Sequence, residues 1–393
     1  MNILLLTAHL PVLGIHGGGM RMYHNIRILS SKHKVSVLSF IEREQEEEQV
    51  SNLEQLGVSI KTVLRRPLPG RDLILAKPRE HFEYRSEPMS ALVRATLEEQ
   101  RIDVIQAEFV QMGQHVPANY PAFRILTEHE IQFSNAYQAF KQPAVLLWKL
   151  RRFYEWMMQF NYEVRMCRRF HRVVCMTEQD LETLKRFVDA RKLRTIPIGV
   201  DCKYYAPGEA MDWASGPPRT LFVGNFRHTP NQEAVYFFAE NILPGIHSVL
   251  PETVFDVVGG NIHLLDSQRL GQSGRVNLIG QVQDVRPYYQ RADVFVAPLY
   301  SGNGMRVKVL EACAMGKAIV ASTLAVQGFN PVRPGSFRVA DSPEQFVTAT
   351  LGLLQDAQSR QEVGAQARRM IEEQYDWDVI EGKFLDLVET RDV

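Results

Sequence analysis

The sequence predicts an α/β protein made of two similar halves, each built on a parallel sheet. Three observations lead to this fold class. The 393 residues exceed what one compact core usually holds, so two domains are expected. Short apolar runs of strand length alternate with helical patterns in both halves, and glycines follow several of these runs. We therefore predict two Rossmann-like domains over residues 1–200 and 201–375, followed by a helical segment over 376–393.

The first half opens with a βαβ unit. A strand over Asn2–Ala8 leads through a connection ending in Gly18 and Gly19 to a helix over Met20–Ser31 and a strand over Val35–Phe40. The glycines lie where the carboxyl end of the sheet opens, and a flexible connection is the alternative interpretation when they are taken alone. The unit lacks GxGxxG and an acidic residue at the end of its second strand, which disfavours an NAD-dependent oxidoreductase.

Further apolar runs complete the first half. We predict strands over Val58–Val63, Ile102–Gln106, Phe123–Thr127, Arg172–Met176 and Leu193–Ile196, and helices over Glu42–Val50, Ala91–Gln100 and after an N-cap at Thr177. His129 follows one of these strands, a position where it is either a ligand contact or a structural residue. The irregular segment Leu64–Arg85 is interpreted as a surface excursion or as part of an acceptor- or membrane-facing rim.

One long segment, Lys141–Arg172, is helical, aromatic and basic. It contains seven Lys and Arg residues between Lys149 and Arg172 against Glu155 and Glu163. A packed helix whose cations reach solvent is the favoured interpretation. Contact with an anionic membrane surface is the alternative.

After a linker rich in proline and glycine that ends at Pro218, the second half repeats the same pattern. We predict strands over Thr220–Val223, Val254–Val258, Val276–Ile279, Val294–Ala297 and Ala318–Ala321, with helices over Gln232–Glu240 and Val285–Arg291. A final helix is expected over Trp377–Glu389. The cleft between the two halves is the expected site.

The segment Pro298–Gly316 carries the most informative pattern. A loop broken by Gly302 and Gly304 precedes an amphipathic helix that runs to about Met315, and Gly316 is placed to end it. Glycine lets backbone amides approach a ligand, and the start of a helix favours an anion. Arg306 and Lys308 add positive charge there, while Glu311 lies further along the helix. These residues are suited to bind a diphosphate and the group attached to it.

Composition narrows the classes of function. The formal net charge is zero, so no global positive field indicates nucleic acid. The four cysteines are far apart in sequence and form no zinc or disulfide pattern, which favours a reducing cytoplasm. The first residues lack the features of a signal peptide, and no apolar run reaches the length of a membrane span.

These motifs together resemble a known family. The second half is similar to the donor-binding domain of retaining GT-B glycosyltransferases of family four, in the branch whose loop reads Gly-x-Gly-x-Arg-x-Lys. The matching motifs are Phe222–Gly224, Pro230–Asn231, Val258–Gly260, Ala292–Pro298 and Lys308–Ser322. The first half resembles the family through its early glycines and His129. The ending Tyr375–Trp377 looks like the family segment from which the last helix returns to the first domain.

The resemblance implies roles for individual residues. Glu311 matches the glutamate that hydrogen-bonds the nucleotide ribose, and His129 matches the histidine that faces the transferred sugar. The loop residues Gly302, Asn303, Gly304 and Met305 are expected to contact the donor, and Gly18, Gly19 and Arg227 its diphosphate. Arg306 and Lys308 are expected to stabilise the leaving group. Asn303 stands where relatives often carry a glutamate, which leaves the sugar contacts less defined than the ribose contacts.

The resemblance therefore implies a retaining glycosyltransferase that uses no metal and no cofactor. Its substrates are a nucleotide diphosphate sugar, with a UDP-sugar favoured, and a glycan, lipid-linked or small-molecule acceptor in surface polysaccharide or glycoconjugate biosynthesis. A catalytically weak nucleotide-sugar-binding partner subunit is the main alternative, and a GT-B epimerase or phosphorylase fits the loop less well. The expected location is cytoplasmic, with peripheral contact at the inner face of the membrane.

Overall fold

The structure is a computed structural model that describes residues 1–12, 17–66, 78–208, 216–302, 304–330 and 332–391. The predicted donor contact Asn303 lies outside the described residues, as does half of the irregular segment Leu64–Arg85, residues 67–77. The chain forms two compact units: unit 1 is Met1–Pro197 with Glu381–Val393, and unit 2 is Ile198–Ile380.

Unit 1 is built on a seven-stranded sheet in which every pair is parallel, with strand order β3-β2-β1-β4-β5-β6-β7. Its strands are β1 (Asn2–Thr7), β2 (Lys34–Ile41), β3 (Ser59–Leu64), β4 (Val104–Glu108), β5 (Phe123–Glu128), β6 (Arg172–Cys175) and β7 (Leu193–Thr195). Its helices are α1 (Gly17–Ser30), α2 (Val50–Glu54), α3 (Arg79–Glu83), α4 (Glu87–Glu99), α5 (Gln132–Lys141), α6 (Leu146–Arg169) and α7 (Glu178–Leu184).

Unit 2 is built on a six-stranded parallel sheet with strand order β10-β9-β8-β11-β12-β13. Its strands are β8 (Arg219–Val223), β9 (Val254–Val258), β10 (Val276–Gly280), β11 (Val294–Ala297), β12 (Ala318–Ala321) and β13 (Arg338–Val339). Its helices are α8 (Thr229–Phe237), α9 (Leu243–His247), α10 (Ser267–Gly271), α11 (Arg286–Arg291), α12 (Val307–Ala314), α13 (Thr323–Val326), α14 (Pro343–Gln355) and α15 (Ala357–Gln374).

The last helix, α16 (Trp377–Thr390), begins in unit 2, and its residues from Glu381 onward group with unit 1. Phe384 and Val388 are fully buried there. Glu389 lies 3.4 Å from Nε2 of His33, which ties the end of the helix to the turn before β2. The end of the chain is thus part of the packing of unit 1.

Continuous apolar runs form the central strands because helices cover both faces of a parallel sheet. Leu4, Leu5 and Leu6 of β1 are all fully buried, as are Val294 and Phe295 of β11. The prediction of an α/β fold with two parallel Rossmann-like sheets is confirmed. In each sheet the strand order reverses beside the first strand, between β1 and β4 and between β8 and β11. The carboxyl ends of these strands are where such sheets bind ligands.

Several elements differ from the prediction. Helix α1 starts at Gly17, so Gly18 and Gly19 form its first turn and do not belong to the preceding connection. The long helix predicted within Lys141–Arg172 is α6, which starts only at Leu146 and ends at Arg169, whereas Lys141 is the last residue of α5. Helices α14 and α15 and the two-residue strand β13 were not predicted.

All four cysteines are free and buried. Cys167 and Cys175 belong to unit 1, whereas Cys202 and Cys313 belong to unit 2. Burial raises the pKa of each of these thiols above its ordinary value.

Candidate functional site

The loop between β11 and α12, here called the donor loop (residues 298–306), folds as its glycines predict. Gly302 and Gly304 have φ values of 88° and 77°, in the region that disfavours a side chain. Arg306 folds back across the loop and donates from Nη2 to the carbonyl of Gly302 at 2.8 Å. Ser301 donates to Oε2 of Glu233 at 2.5 Å. These bonds fix both ends of the turn at the start of α12.

Lys308 lies on the first turn of α12 in a partly buried position. Its Nζ donates to Oδ1 of Asn231 at 2.5 Å and lies 4.3 Å from the centre of the Phe222 ring. Loss of water around the ammonium, together with the like charge of Arg306, lowers the pKa of Lys308 to about 7, while Glu311 opposes the shift. The charged form of an ammonium in these surroundings is strongly stabilised when an anion binds beside it.

Glu311 lies one turn further along α12 and is held by two tyrosines. Tyr205 donates to Oε1 at 3.0 Å, and the hydroxyl of Tyr289 lies 3.0 Å from Oε2. Burial raises the pKa of this carboxyl, and the two tyrosine hydrogen bonds counteract that effect. Each carboxylate oxygen has more than one lone pair, so both can still accept a hydroxyl donor from a ligand.

Two glycines bring backbone close to Lys308. A Cβ at Gly224 would lie 3.0 Å from Lys308 Nζ, and one at Gly259 would lie 1.8 Å from the Gly224 carbonyl oxygen. Gly259 also has a φ of 140°. The backbone just after β8 and β9 can therefore come together only because Gly259 carries no side chain, and a side chain at Gly224 would crowd Lys308.

The helix behind the donor loop ends as predicted at Gly316, whose φ is 64°. The amide of Gly316 donates to Cys313 and the amide of Lys317 donates to Ala312, which is the Schellman pattern. Lys317 donates from Nζ to the carbonyls of Gln290 and Ala292 at the end of α11. Arg306, Lys308 and Glu311 are thus held on a helix that is fixed at both ends.

Three further residues of unit 2 were predicted to contact the donor: Arg227, Asn303 and Met305. Arg227 is exposed, and its backbone amide donates to Oδ1 of Asn225. Met305 is partly buried, with its Cα 3.2 Å from the Cβ position of Gly328. The structure does not describe Asn303, so its predicted contact stays a prediction.

A second set of polar residues lies at the carboxyl edge of the unit 1 sheet, around Glu108. This carboxylate is fully buried at the end of β4. His129 Nε2 lies 2.8 Å from Oε2, while Asn25 and Gln106 donate to Oε1 at 3.0 and 2.7 Å. Burial alone would raise the pKa of Glu108, but the hydrogen bond from His129 and the charges of His129 and Arg21 hold it below its usual value.

The imidazole of His129 is also fixed by stacking. The Phe109 ring lies 3.8 Å from it, centre to centre, at an interplanar angle of 10°. Phe109 has a φ of 75°, which is uncommon for a bulky residue and is found where the surroundings hold the backbone in place. Glu108 and Phe109 therefore set the orientation of the predicted sugar-contacting histidine.

Beside this set, the first turn of α1 contains Gly18 and Gly19. The start of a helix carries a partial positive charge that favours an anion. Arg21 on the same helix is fully buried and donates from Nη1 to the carbonyl of Pro197 at 2.6 Å. Burial lowers the pKa of Arg21 to about 10, against the opposing charge of Glu108.

The two sequence neighbours of His129, Glu128 and Glu130, form hydrogen bonds with residues outside the set around Glu108. Glu128 accepts from Cys167 Sγ at 3.5 Å inside the unit, and Glu130 accepts from Asn135 Nδ2 at 3.0 Å. Of the sequence Glu128-His129-Glu130, only the histidine joins the set around Glu108.

The sequence assigned no role to five residues that support the site: Tyr205, Tyr289, Asn231, Glu108 and Asn25. Of these, only Asn231 belongs to one of the matching motifs. The only signal for Glu108 was a carboxylate at the end of an apolar strand. Within the described residues, no group of three or more His, Cys, Asp or Glu is arranged to hold a metal ion. None of the described helices combines the length and apolar character needed to cross a bilayer.

Both units match models of known families. Residues 15–204 match Glycosyltransferase Family 4, and residues 217–356 match Glycosyl transferases group 1. The first unit thus carries a family 4 glycosyltransferase domain and the second a group 1 glycosyltransferase domain. Sucrose-phosphate synthase from Thermosynechococcus elongatus has the same fold, with a TM-score of 0.73 at 17% identity over 98% of both chains. The fold is GT-B, as the sequence predicts.

Two curated relatives are similar in sequence. The phosphatidyl-myo-inositol mannosyltransferase of Mycolicibacterium smegmatis is 30% identical over 203 residues, which is 50% of this chain and 51% of the relative. The UDP-Gal:alpha-D-GlcNAc-diphosphoundecaprenol alpha-1,3-galactosyltransferase of Escherichia coli is 29% identical over 168 residues, or 39% of this chain and 43% of the relative. The chain thus spans about half of the length of the first relative and less than half of the second.

Proposed function

We propose that the protein is a retaining glycosyltransferase that moves a sugar from a nucleotide diphosphate sugar to a glycan, lipid-linked or small-molecule acceptor. The observation that carries this proposal is the start of α12, where Lys308, Arg306 and the donor loop provide positive charge beside Glu311. The name of the Escherichia coli relative includes UDP-Gal, which supports a UDP-sugar. Surface polysaccharide or glycoconjugate biosynthesis is the setting we propose.

The reaction needs no protein nucleophile or cofactor. The bond between the anomeric carbon and the phosphate oxygen breaks, and the acceptor oxygen bonds to the same face of that carbon. The acceptor hydroxyl proton passes to the departing phosphate oxygen. Because negative charge develops on the diphosphate, positive groups held in place are the largest source of rate enhancement. We assign this stabilisation to Arg306 and Lys308, without a metal ion.

We also assign the other donor contacts residue by residue. We assign the ribose hydroxyls to Glu311 and the remaining donor contacts to Gly302, Asn303, Gly304 and Met305. We assign the diphosphate also to Arg227 and to the first-turn amides of Gly18 and Gly19. His129, oriented by Glu108 and Phe109, is assigned to the transferred sugar.

The relatives' names also bear on the acceptor. One names phosphatidyl-myo-inositol and the other a diphosphoundecaprenol-linked sugar, and both are lipid-anchored molecules. We propose a lipid-linked acceptor for this protein and a cytoplasmic location with peripheral contact at the inner face of the membrane.

The test is a donor panel read by nucleotide release and by thermal stability. We expect UDP, at a concentration 100 times its dissociation constant, to stabilise the protein by about 2.7 kcal/mol. GDP and ADP at the same concentration should stabilise it less. We also expect release of free UDP from a UDP-sugar in the presence of membrane extract. Stabilisation without UDP release favours the partner-subunit alternative, and the absence of both refutes nucleotide-sugar chemistry at this site.

A further inference from the structure

The connection between α5 and α6 forms an apolar tip that nothing in the described structure covers. We call residues 141–154 the hairpin tip. Leu146 and Leu147 are 74% and 78% exposed, and Trp148 is 53% exposed. The large apolar side chains exposed in this tip are Val145, Leu146, Leu147, Trp148, Leu150, Phe153 and Tyr154. Apolar exposure this concentrated marks an interaction surface.

The tip lies on the carboxyl side of the unit 1 sheet. Helix α5 starts four residues after β5 ends, and Glu163 of α6 accepts hydrogen bonds from the first amides of α5, Gln132 and Phe133. Helix α6 runs from the tip towards the start of β6, and α5 packs against it in the opposite direction, so α5 leads away from the sheet edge. Leu146 is therefore about 25 Å along the helix from Glu163 at 1.5 Å per residue.

The hairpin has a packed base. The ring of Trp156 lies 5.0 Å from that of Tyr137, 6.1 Å from that of Phe140 and 5.7 Å from that of Phe153. Arg152 donates to the carbonyls of Ala139 and Gln142 at the end of α5. These contacts hold the two helices together, so the tip is presented by an ordered element.

The hairpin tip carries positive charge, which favours an anionic partner. Lys141, Lys149, Arg151 and Arg152 lie in or beside the apolar group, and the tip itself contains no Asp or Glu. Arg151 pairs with Glu155 just beyond it, at 2.8 Å. The core of a protein interface is depleted of charge, whereas an anionic bilayer accepts apolar side chains and lysine or arginine together. Trp148 and Tyr154 are also residue types that prefer the boundary between headgroups and acyl chains.

We propose that the hairpin tip docks on an anionic lipid bilayer. Leu146, Leu147 and Trp148 enter the boundary between headgroups and acyl chains, while Lys141 and Lys149 meet lipid phosphates. Docking here turns the carboxyl edge of the sheet, with His129, towards the same bilayer. This last step rests on the proposed function, because it supplies a lipid-linked acceptor to the residue assigned to the transferred sugar.

The test is sedimentation of the full chain with vesicles of pure phosphatidylcholine or of phosphatidylcholine mixed with phosphatidylglycerol. We expect sedimentation only with the mixed vesicles and its decrease as salt is added. The combined variant Leu146→Ser, Leu147→Ser, Trp148→Ser should lower the partition coefficient at least about tenfold. Lys141→Gln with Lys149→Gln should lower it about fivefold for each charge removed.

A matched control is Val249→Ser with Leu264→Ser, which removes exposed apolar side chains from unit 2 and should leave sedimentation unchanged. Equal sedimentation of wild type and the triple variant overturns the proposal. So does a wild-type dimer that the triple variant converts to a monomer without vesicle binding, since the tip is then an interface between copies. Thermal stabilisation by UDP is measured on every variant, so a failure of nucleotide binding is distinguished from a failure of docking.

Discussion

Burial destabilises the charged form of Lys308 in the protein without ligand. Its ammonium has one hydrogen-bond acceptor, Asn231, and a like charge nearby on Arg306. In the unfolded chain the same group binds its proton up to a higher pH. Between a pH of about 7 and the usual lysine range, the unfolded state therefore holds more protons, and this group makes stability rise with pH.

We predict that Lys308→Met separates activity from stability. Methionine keeps most of the side-chain volume and removes the charge, so the midpoint of urea unfolding near pH 7 should stay the same or rise. Turnover should fall by about two to three orders of magnitude, because a charge that stabilises the leaving group is lost. Wild-type turnover in this variant would remove Lys308 from the proposed mechanism.

We also predict proton uptake when UDP binds at about pH 8. In the free protein Lys308, with a pKa of about 7, is mostly neutral at this pH, and the diphosphate stabilises its charged form. Calorimetric titrations in buffers of different ionisation enthalpy should show uptake approaching roughly one proton. Lys308→Met is the control and should abolish the buffer dependence.

The site illustrates what a sequence can and cannot predict. Glu311, Lys308 and Gly302 were predicted because one continuous motif contains them. Tyr205 and Tyr289 were not, since each comes from a different part of unit 2 and meets Glu311 only after folding. Glu108 was missed for the same reason, because its partners His129 and Asn25 lie on other elements.

At the scale of elements, α5 depends on a buried carboxyl group. Glu163 accepts from the first amides of α5, and burial raises its pKa to about 8, with the backbone hydrogen bonds opposing that shift. The folded state therefore keeps a proton that the unfolded state loses near pH 4.5. This contribution is fully present below that pH and is lost as the pH rises towards about 8.

We predict that Glu163→Gln makes stability less dependent on pH. In the wild type, the urea midpoint should fall between about pH 5 and pH 8, and the fall should be smaller in the variant. Glu155→Gln on the exposed part of α6 is the matched control and should behave as the wild type does. An unchanged slope in Glu163→Gln would show that this carboxyl does not titrate as its burial indicates.

The close approach of Gly224 and Gly259, just after the ends of β8 and β9, gives a second prediction. Gly259→Ala places a Cβ 1.8 Å from the Gly224 oxygen and strains a φ of 140°, so it should destabilise the protein by at least about 2 kcal/mol. Gly271→Ala is the control, because it ends helix α10 and, in the part of the chain that the structure describes, no heavy atom beyond its chain neighbours and its own helix backbone lies within 4 Å of its Cβ position. Denaturant unfolding of both variants measures the difference, and equal stability would contradict it.

Elements were predictable where the pattern was continuous and apolar. Strands β11 and β12 match their predicted bounds because parallel strands buried on both faces are uninterrupted apolar runs. Strand β9 also matches its predicted bounds, although Asp256 interrupts its apolar run. Helix α4 begins four residues before its predicted start, where Ser86 accepts from the amide of Met89. Strand β13 has only two residues, too few for any periodicity.

At the scale of the whole molecule, the last helix, α16, contributes to the stability of unit 1. Phe384 of α16 is fully buried among residues that group with unit 1. Phe384→Ala should destabilise unit 1 by about 3–5 kcal/mol through loss of buried area and the cavity left behind. Hydrogen exchange should accelerate in β1 and β2, whereas Lys383→Ala on the exposed side should leave it unchanged. Exchange that accelerates only in unit 2 would contradict this assignment.

The distribution of the four cysteines has a practical consequence for kinetics. Each unit holds two thiols that are shielded and difficult to ionise. A thiol reagent reacts with the thiolate, so modification of the native protein has to wait for an opening event that exposes the sulfur. Mass spectrometry of labelled peptides can thus time the opening of the two units separately in one sample. The native cysteines provide this without any engineered label.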